Sequence, residues 1–216
     1  ELIGKPIQVL SRRDLEDDNG KRIFAVAENG KAVFLIPGDP FIATTHVTLR
    51  IEAAKRSIST RIIHGASIIS AIIALSGLHN YKFGKTVTIP FRENFSQTPY
   101  NVIAQNKQLG LHTLCLLDLN VEEKRYLPIK DALIMLQEIE QKNQKEVTAD
   151  DSIVVGLARA GSNNPTLKAG FLADLIDYDF GPPPMSLVFV GQLHFLEADS
   201  LIAFANAPSK LRSLCV

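Results

Sequence analysis

The sequence has little of what several common protein classes require. Tryptophan is absent from the 216 residues, and the two cysteines, Cys115 and Cys215, form no Cys-x-x-Cys pair. Lys plus Arg and Asp plus Glu number 23 each, so the formal net charge is zero. These absences argue against a disulfide framework, a zinc finger and a basic nucleic-acid-binding surface. We expect a reducing, cytoplasmic compartment and no direct nucleic-acid partner.

Long apolar runs are also missing. The longest one, residues 68–78, is interrupted by Ser70 and Ser76. A membrane-spanning helix needs roughly 20 apolar residues, so this run predicts a buried helix and no membrane partner. Hydrophobic residues make up 46% and charged residues 21% of the chain, which is typical of a folded globular protein.

The motifs of several enzyme classes are absent as well. There is no Gly-x-Ser-x-Gly, no phosphate-binding P-loop and no Gly-x-Gly-x-x-Gly. Serine hydrolases, P-loop nucleotidases and Rossmann dehydrogenases therefore lose their main support. The histidines show no metal-ligand spacing, so we expect no metal site. They are His46, His64, His79, His112 and His194.

What the chain does have is an alternation of short β-branched runs with longer amphipathic ones. The short runs predict strands at 7–10, 32–36, 60–63, 86–89, 113–117, 153–157 and 187–190. The longer patterns predict helices at 14–28, 45–56, 68–75, 100–109, 130–141, 171–178 and 198–205. This order predicts an α/β fold with parallel sheets covered on both faces. Pro90 and the polar run 92–99 predict a boundary between an N-terminal lobe, 1–90, and a C-terminal lobe, 91–216.

Three loops follow predicted strands, where open α/β sheets bind their ligands. They are residues 37–40 (Pro-Gly-Asp-Pro), 64–67 (His-Gly-Ala-Ser) and 158–162 (Ala-Arg-Ala-Gly-Ser). Asp39 either accepts hydrogen bonds from a ligand or stabilises a turn, and Ser67 is either a helix N-cap or a ligand contact. The residues alone thus predict an α/β enzyme with a ligand site on these loops.

Taken together, an ordered set of segments resembles the diphthine synthases of the tetrapyrrole-methylase superfamily. The segments are 37–40 with 43–46, 63–68, 81–85, 110–114, 157–162 and 180–183. The Gly-Asp-Pro tripeptide is shared by the whole superfamily, whereas the full set is specific. The resemblance implies two α/β lobes with S-adenosylmethionine, which is converted to S-adenosylhomocysteine, in the cleft between them.

The same resemblance implies an activity. Diphthine synthases methylate the amino group of a modified histidine on translation elongation factor 2, a step of diphthamide biosynthesis. The lack of a long insertion between Asp118 and Leu127 resembles the shorter, archaeal form, which adds three methyl groups. Family members are usually homodimers. Because the sulfonium of the cofactor is already activated, no catalytic residue is expected.

Carried over position by position, the cofactor contacts of the family fall on seven residues. They are Asp39, Ile42, Ser67, Ile68, Leu117, Ala160 and Met185. Met185 stands where the family usually has histidine. The family also begins with a strand and a Gly-Leu-Gly-Leu loop that precede the equivalent of residues 2–5. We therefore expect the first strand of the N-terminal lobe to be missing from this sequence.

Two other functions stay open at this point. The first is a methylase of a tetrapyrrole ring, which shares the Gly-Asp-Pro loop and the two-lobed fold. Residues 81–85 and 110–118 favour the protein-modifying branch over it. The second is a non-catalytic fragment that binds the elongation factor, suggested by the missing first segment.

Overall fold

The computed structural model describes residues 4–216. The chain divides into two compact units, Glu1–Ser67 and Ile68–Val216. The start of the predicted first lobe, residues 1–3, lies outside the described residues. The predicted lobe boundary between residues 90 and 91 differs from this division and stays a prediction. No helix of residues 4–216 is long and apolar enough to cross a bilayer.

Unit 1 contains the three short helices α1 (Arg12–Glu16), α2 (Lys21–Ala27) and α3 (Val47–Lys55). A capping box starts α1, because Ser11 and Asp14 each accept a hydrogen bond from the other's backbone N–H. Asn19 and Gly20 both have left-handed backbone conformations, with φ of 49° and 67°. The single helix predicted over 14–28 is therefore wrong, since two left-handed residues break it into α1 and α2.

The three strands predicted in unit 1 are not formed among the described residues. Residues 7–10, 32–36 and 60–63 have no hydrogen-bonded strand neighbour. Their apolar side chains stand in solvent, with Val9 86%, Val33 72% and Ile63 77% exposed. A β-branched composition favours an extended backbone but supplies no partner strand, and a strand needs both.

Unit 2 contains the remaining helices and all the strands of the described chain. Its helices are α4 (Ile68–Ser76), α5 (Thr98–Gln108), α6 (Ile129–Asn143), α7 (Leu172–Leu175) and α8 (Phe195–Ala205). Its strands are β1 (Val87–Ile89), β2 (Thr113–Leu117), β3 (Leu119–Asn120), β4 (Arg125–Tyr126), β5 (Ile153–Ala158), β6 (Thr166–Phe171) and β7 (Met185–Phe189). Short 3₁₀ turns lie at Asn80–Lys82, Arg92–Asn94 and Ser209–Leu214.

Five of these strands form one mixed sheet in the order β1-β2-β7-β5-β6. Only β1 and β2 are parallel, whereas β2–β7, β7–β5 and β5–β6 are antiparallel. The prediction of a parallel sheet is therefore wrong for unit 2. The reason is β6, a strand that was not predicted from the sequence. Loop 159–165 connects β5 to β6 as an antiparallel hairpin, whereas a parallel sheet needs a crossover connection.

The sheet is buried on both faces. Along β7, Leu187 and Phe189 pack into one apolar cluster with residues of α5, α6 and α7. Val188 between them packs into a second cluster with residues of α4 and α8. This alternation follows from the two-residue period of a strand, and it places helices on both sides of the sheet.

Candidate functional site

Three strand ends of unit 2 meet at one edge of the sheet. β2 ends there, β5 ends there at Ala158, and β7 begins between them at Met185. Met185 is paired with Ala158, and the antiparallel register of β2 and β7 brings Leu117 to the neighbouring position on the other side. Ala160 follows β5 at this edge. Three of the seven predicted site residues, Leu117, Ala160 and Met185, therefore come together.

The loop that leads into β7 is held by the side chain of Arg159. Its guanidinium donates hydrogen bonds to the carbonyls of Phe180 (3.0 Å) and Pro182 (2.7 Å). It also donates to Oγ1 of Thr166, at 2.5 Å. A planar guanidinium offers several donors in a fixed geometry, so one side chain ties the start of β6 to loop 180–184.

The backbone of Arg159 holds the same edge. Its N–H donates to the carbonyl of Pro184 at 2.9 Å, one residue before Met185. Its φ is 55°, in the left-handed region that only a few per cent of non-glycine residues adopt. Such strain persists only where the surrounding contacts outweigh it. Arg159 thus fixes the positions of two predicted site residues. Ala160 follows it in the chain, and Met185 follows Pro184, to which the N–H of Arg159 donates.

Two glycines give this arrangement its room. A Cβ on Gly156 of β5 would lie 2.2 Å from the ring of Phe180, so the glycine lets that buried ring lie against the strand. A Cβ on Gly181 would lie 2.9 Å from a nitrogen of Arg159, and its φ of 73° also favours glycine. The Gly-Pro-Pro motif after Phe180 therefore begins with a glycine that leaves space for the guanidinium of Arg159.

In unit 1, Asp39 links two loops. Its Oδ1 accepts a hydrogen bond from the N–H of Phe41 at 2.9 Å, and its Oδ2 lies 3.0 Å from Nδ1 of His64. The N–H of Phe41, and then the ring of His64, hold the pKa of the Asp39 carboxyl below its ordinary value, so the group is ionised at neutral pH. The side chain of Asp39 is 9% exposed and that of His64 75%. Asp39 thus stabilises the turn, which confirms one of the two interpretations of this residue from the sequence.

The same two loops approach each other through their backbones. A Cβ on Gly65 would lie 2.4 Å from the carbonyl oxygen of Gly38, so only glycine fits there. Ile42, beyond the first loop, is 37% exposed. Ser67 is the last residue of unit 1, and Ile68 begins α4 in unit 2 and packs against the second apolar cluster. Unit 1 therefore holds Asp39, Ile42 and Ser67, and unit 2 holds the other four predicted site residues.

A buried polar cluster surrounds Glu197, near the start of α8, and no sequence pattern pointed to it. The Glu197 carboxylate is fully buried and accepts hydrogen bonds from Lys82 Nζ (2.6 Å) and His112 Nε2 (2.9 Å). The backbone N–H groups of His79 and His194 donate to the same carboxylate. The segments 81–85 and 110–114 were singled out as family motifs, and their Lys82 and His112 prove to be the partners of this carboxylate. Both motifs therefore have a structural role at this point.

Two further observations concern the thiol of Cys115 and the side chains that could bind a metal. Burial raises the pKa of the Cys115 thiol, which fits the buried strand it lies on. Within residues 4–216, no group of three or more His, Cys, Asp and Glu side chains is arranged to hold a metal ion.

Comparison with known proteins identifies the class. The sequence model of the tetrapyrrole (corrin/porphyrin) methylases matches residues 5–176. The chain therefore belongs to the tetrapyrrole methylase family.

Individual relatives indicate which branch of the family the chain resembles. The diphthine synthase of Methanocaldococcus jannaschii is 46% identical over 205 residues, covering 93% of this chain and 79% of that protein. The diphthine synthase of Methanosarcina mazei is 44% identical over 223 residues, covering 98% and 80%. A crystal structure of diphthine synthase superposes with a TM-score of 0.87 at 39% identity, covering 99% of this chain and 80% of that one. Within the family the chain is thus a diphthine synthase relative, and the predicted family and α/β fold class are confirmed.

Proposed function

We propose that this protein transfers methyl groups from S-adenosylmethionine to the amino group of the modified histidine of translation elongation factor 2, the diphthine-forming step of diphthamide biosynthesis. As a member of this family the chain is an S-adenosylmethionine-dependent methyltransferase. The observation that supports the site most directly is the meeting of Leu117, Ala160 and Met185 at one edge of the sheet in unit 2.

The residues present suit this cofactor in chemical type. Unit 2 offers an apolar edge, with Leu117 buried and Met185 half-buried, against which an adenine ring can pack. Unit 1 offers the ionised carboxylate of Asp39, which has lone pairs for ribose hydroxyls or an ammonium group. Ile42 and Ile68 add apolar contacts, and Ser67 adds a hydroxyl. As the family resemblance implies, we propose each of the seven residues as a cofactor contact.

The chemistry asks for positioning more than for acid–base catalysis. S-adenosylmethionine, when bound, supplies a methyl group that its positive sulfur already activates. The bound cofactor would supply this methyl group to the acceptor amine, with the S–C bond exchanged for an N–C bond and the amine proton passing to bulk solvent. Holding two reactants in line can lower a barrier by roughly 7–11 kcal/mol. Asp39, Arg159 and the sheet edge are therefore proposed to position the reactants, and we assign no catalytic residue.

Met185 stands where the family usually has histidine, a change that is harmless if backbone atoms make the cofactor contact and that weakens the site if the imidazole makes it. Its backbone is fixed between two strands by pairing with Ala158 and by the β2–β7 register. A contact made by backbone atoms at this position does not depend on the side chain. We propose that Met185 contacts the cofactor through its backbone.

The partners follow from the proposed reaction. The protein substrate is elongation factor 2, so the compartment is the cytoplasm, and the assembly we propose is the homodimer usual in the family. A tetrapyrrole acceptor remains the alternative within the family, and a non-catalytic fragment that binds the factor is the alternative outside enzymes. The relatives named above favour the protein acceptor.

The test uses the protein with S-adenosylmethionine and archaeal elongation factor 2 that carries the aminocarboxypropyl-histidine precursor. We expect mass spectrometry to find added methyl groups on that histidine alone. A factor bearing unmodified histidine is the matched control and should gain no mass. An unchanged precursor contradicts the proposed acceptor. A parallel titration with S-adenosylhomocysteine then separates a different acceptor, if binding is seen, from a non-catalytic fragment, if it is not.

A further inference from the structure

A cavity of unit 2 begins at the same edge of the sheet. It has a volume of about 320 Å³, near the lower end of ordinary small-molecule sites. The chain reaches it directly from β1 and β2. The N–H of Phe91 donates to the carboxylate of Asp118 at 3.2 Å, and the N–H of Leu127 donates to the Asp118 carbonyl at 2.9 Å. Phe91 and Leu127 both line the cavity, and Asp118 directly follows Leu117.

Two guanidinium groups line this cavity, and each is paired with a carboxylate. Arg92 pairs with both carboxylate oxygens of Glu138, each at 2.9 Å. Arg125 pairs in the same two-pronged way with Glu93, and its guanidinium lies over the ring of Phe91, 3.9 Å from the centroid. A guanidinium has five N–H donors, and each pairing uses two of them. Both arginines therefore keep donors for a further acceptor.

The cavity also offers a negative charge and an apolar floor. Asp131 lies in the first turn of α6 and is exposed, and its carboxylate interacts electrostatically with Arg92 and Lys130 without a hydrogen bond to another residue of the described chain. Phe91, Leu127 and Met135 are buried side chains that line the same space. The cavity thus combines a carboxylate, guanidinium donors and an apolar surface.

This combination fits a group that carries an ammonium, a carboxylate and a flat or aliphatic body at once. The acceptor of the proposed reaction has such a group, because an aminocarboxypropyl chain extends from its imidazole. We propose that the cavity formed by Phe91, Arg92, Arg125, Leu127 and Asp131 binds the aminocarboxypropyl-histidine of the protein substrate. The guanidinium donors hold the carboxylate of that group, and Asp131 attracts its amine before the proton is lost. This assignment rests on the proposed function and names the acceptor subsite within it.

The test compares Arg125→Gln and Asp131→Asn with Arg212→Gln. The control breaks another exposed arginine–carboxylate pair of unit 2, that of Arg212 with Asp199, which lies outside the cavity. For both cavity variants we expect the KM for the precursor-bearing elongation factor to rise about 10- to 100-fold, as for the loss of a hydrogen bond to a charged group. The dissociation constant of S-adenosylhomocysteine and the Tm should stay at their wild-type values. Arg125→Lys should recover part of the loss in KM.

The outcomes separate the subsite from the function. If the wild type methylates the factor and both cavity variants keep its KM, the subsite is overturned. The same holds if the cavity variants and Arg212→Gln raise the KM equally, because the effect is then one of general surface charge. Asp131→Asn removes no hydrogen bond of the fold, so a loss of folding in Arg125→Gln leaves the test intact. A wild type that binds S-adenosylhomocysteine but leaves the factor unmodified overturns the proposed function and the named ligand with it.

Discussion

Replacing Arg159 by lysine should weaken cofactor binding far more than it weakens the fold. Arginine makes three side-chain hydrogen bonds, to Phe180, Pro182 and Thr166. A lysine ammonium keeps the charge but lacks the planar fork, so we expect it to keep one of the three. Each lost bond is worth about 0.5–1.5 kcal/mol, so the loop before Met185 loses about 1–3 kcal/mol of ordering.

That ordering must then be supplied when the cofactor binds. At about 1.4 kcal/mol per factor of ten, the dissociation constant of S-adenosylhomocysteine should rise about 5- to 150-fold. The KM for S-adenosylmethionine should rise in parallel, because substrate and product share the proposed cofactor site. Arg159→Ala should lose more, and added guanidinium ions should restore part of its affinity.

Isothermal titration with S-adenosylhomocysteine, beside a thermal melt, checks this reasoning. The control is Arg212→Lys, which alters an exposed pair with Asp199 and should change neither quantity. A dissociation constant within twofold of wild type for Arg159→Lys would show that the loop holds its position without the guanidinium. Equal losses of affinity and of folded protein would reduce Arg159 to a general stabiliser of unit 2.

Three further predictions follow from the site and the buried cluster. Asp39→Ala should raise the dissociation constant of S-adenosylhomocysteine at least tenfold by calorimetry, as for a lost charged hydrogen-bond partner, whereas unchanged binding removes Asp39 from the site. Met185→His should change that constant less than about threefold, because a backbone contact spares the side chain, and a larger change refutes the backbone contact. Glu197→Gln should lower the free energy of unfolding by about 3 kcal/mol in urea, because Lys82 loses its buried partner. His112 and Lys82 hold the pKa of the Glu197 carboxyl below its ordinary value of 4.5, so the wild type should lose stability as the pH falls below about 4.5, and Glu197→Gln should lose less over that range. A parallel loss in both proteins contradicts the assignment.

Much of unit 2 could be predicted from the sequence, because its core elements carry strong periodic patterns. The strands over 113–117, 153–157 and 187–190 and the helix over 130–141 are confirmed to within a few residues. β6 was missed, since Lys168 and Gly170 interrupt its apolar residues and remove the continuous run that marked the other strands. Its loss from the prediction also hid the antiparallel hairpin and produced the wrong parallel sheet.

Unit 1 shows where prediction of strands from the sequence fails. Residues 32–36 have the composition of a buried strand, yet Val33 and Leu35 are 72% and 53% exposed. Composition reports what a segment can pair with, and it does not report whether a partner is present. The partner of a strand is a long-range property that a local pattern does not contain.

The candidate site divides in the same way. Ala160 could be placed by the rule that ligands bind beyond the carboxyl ends of strands, because it lies in loop 158–162. Leu117 and Met185 came only from the family resemblance, and Met185 stands at the amino end of an antiparallel strand, where the rule does not apply. The guanidinium contacts of Arg159 were also out of reach, since they join residues far apart in the chain and depend on the turn geometry of loop 180–184.

The position of β7 in the sheet has a consequence for synthesis in the cell. It is the last strand of the five to leave the ribosome, and it lies between β2 and β5, which are made much earlier. Until residues 185–189 emerge, β2 and β5 have no neighbour in common, and the two halves of the proposed cofactor edge stay apart. Such late, non-local pairing makes folding slow and leaves two strand edges open meanwhile. A nascent chain stalled before residue 185 should therefore bind no cofactor at this edge and should depend on chaperones for its solubility.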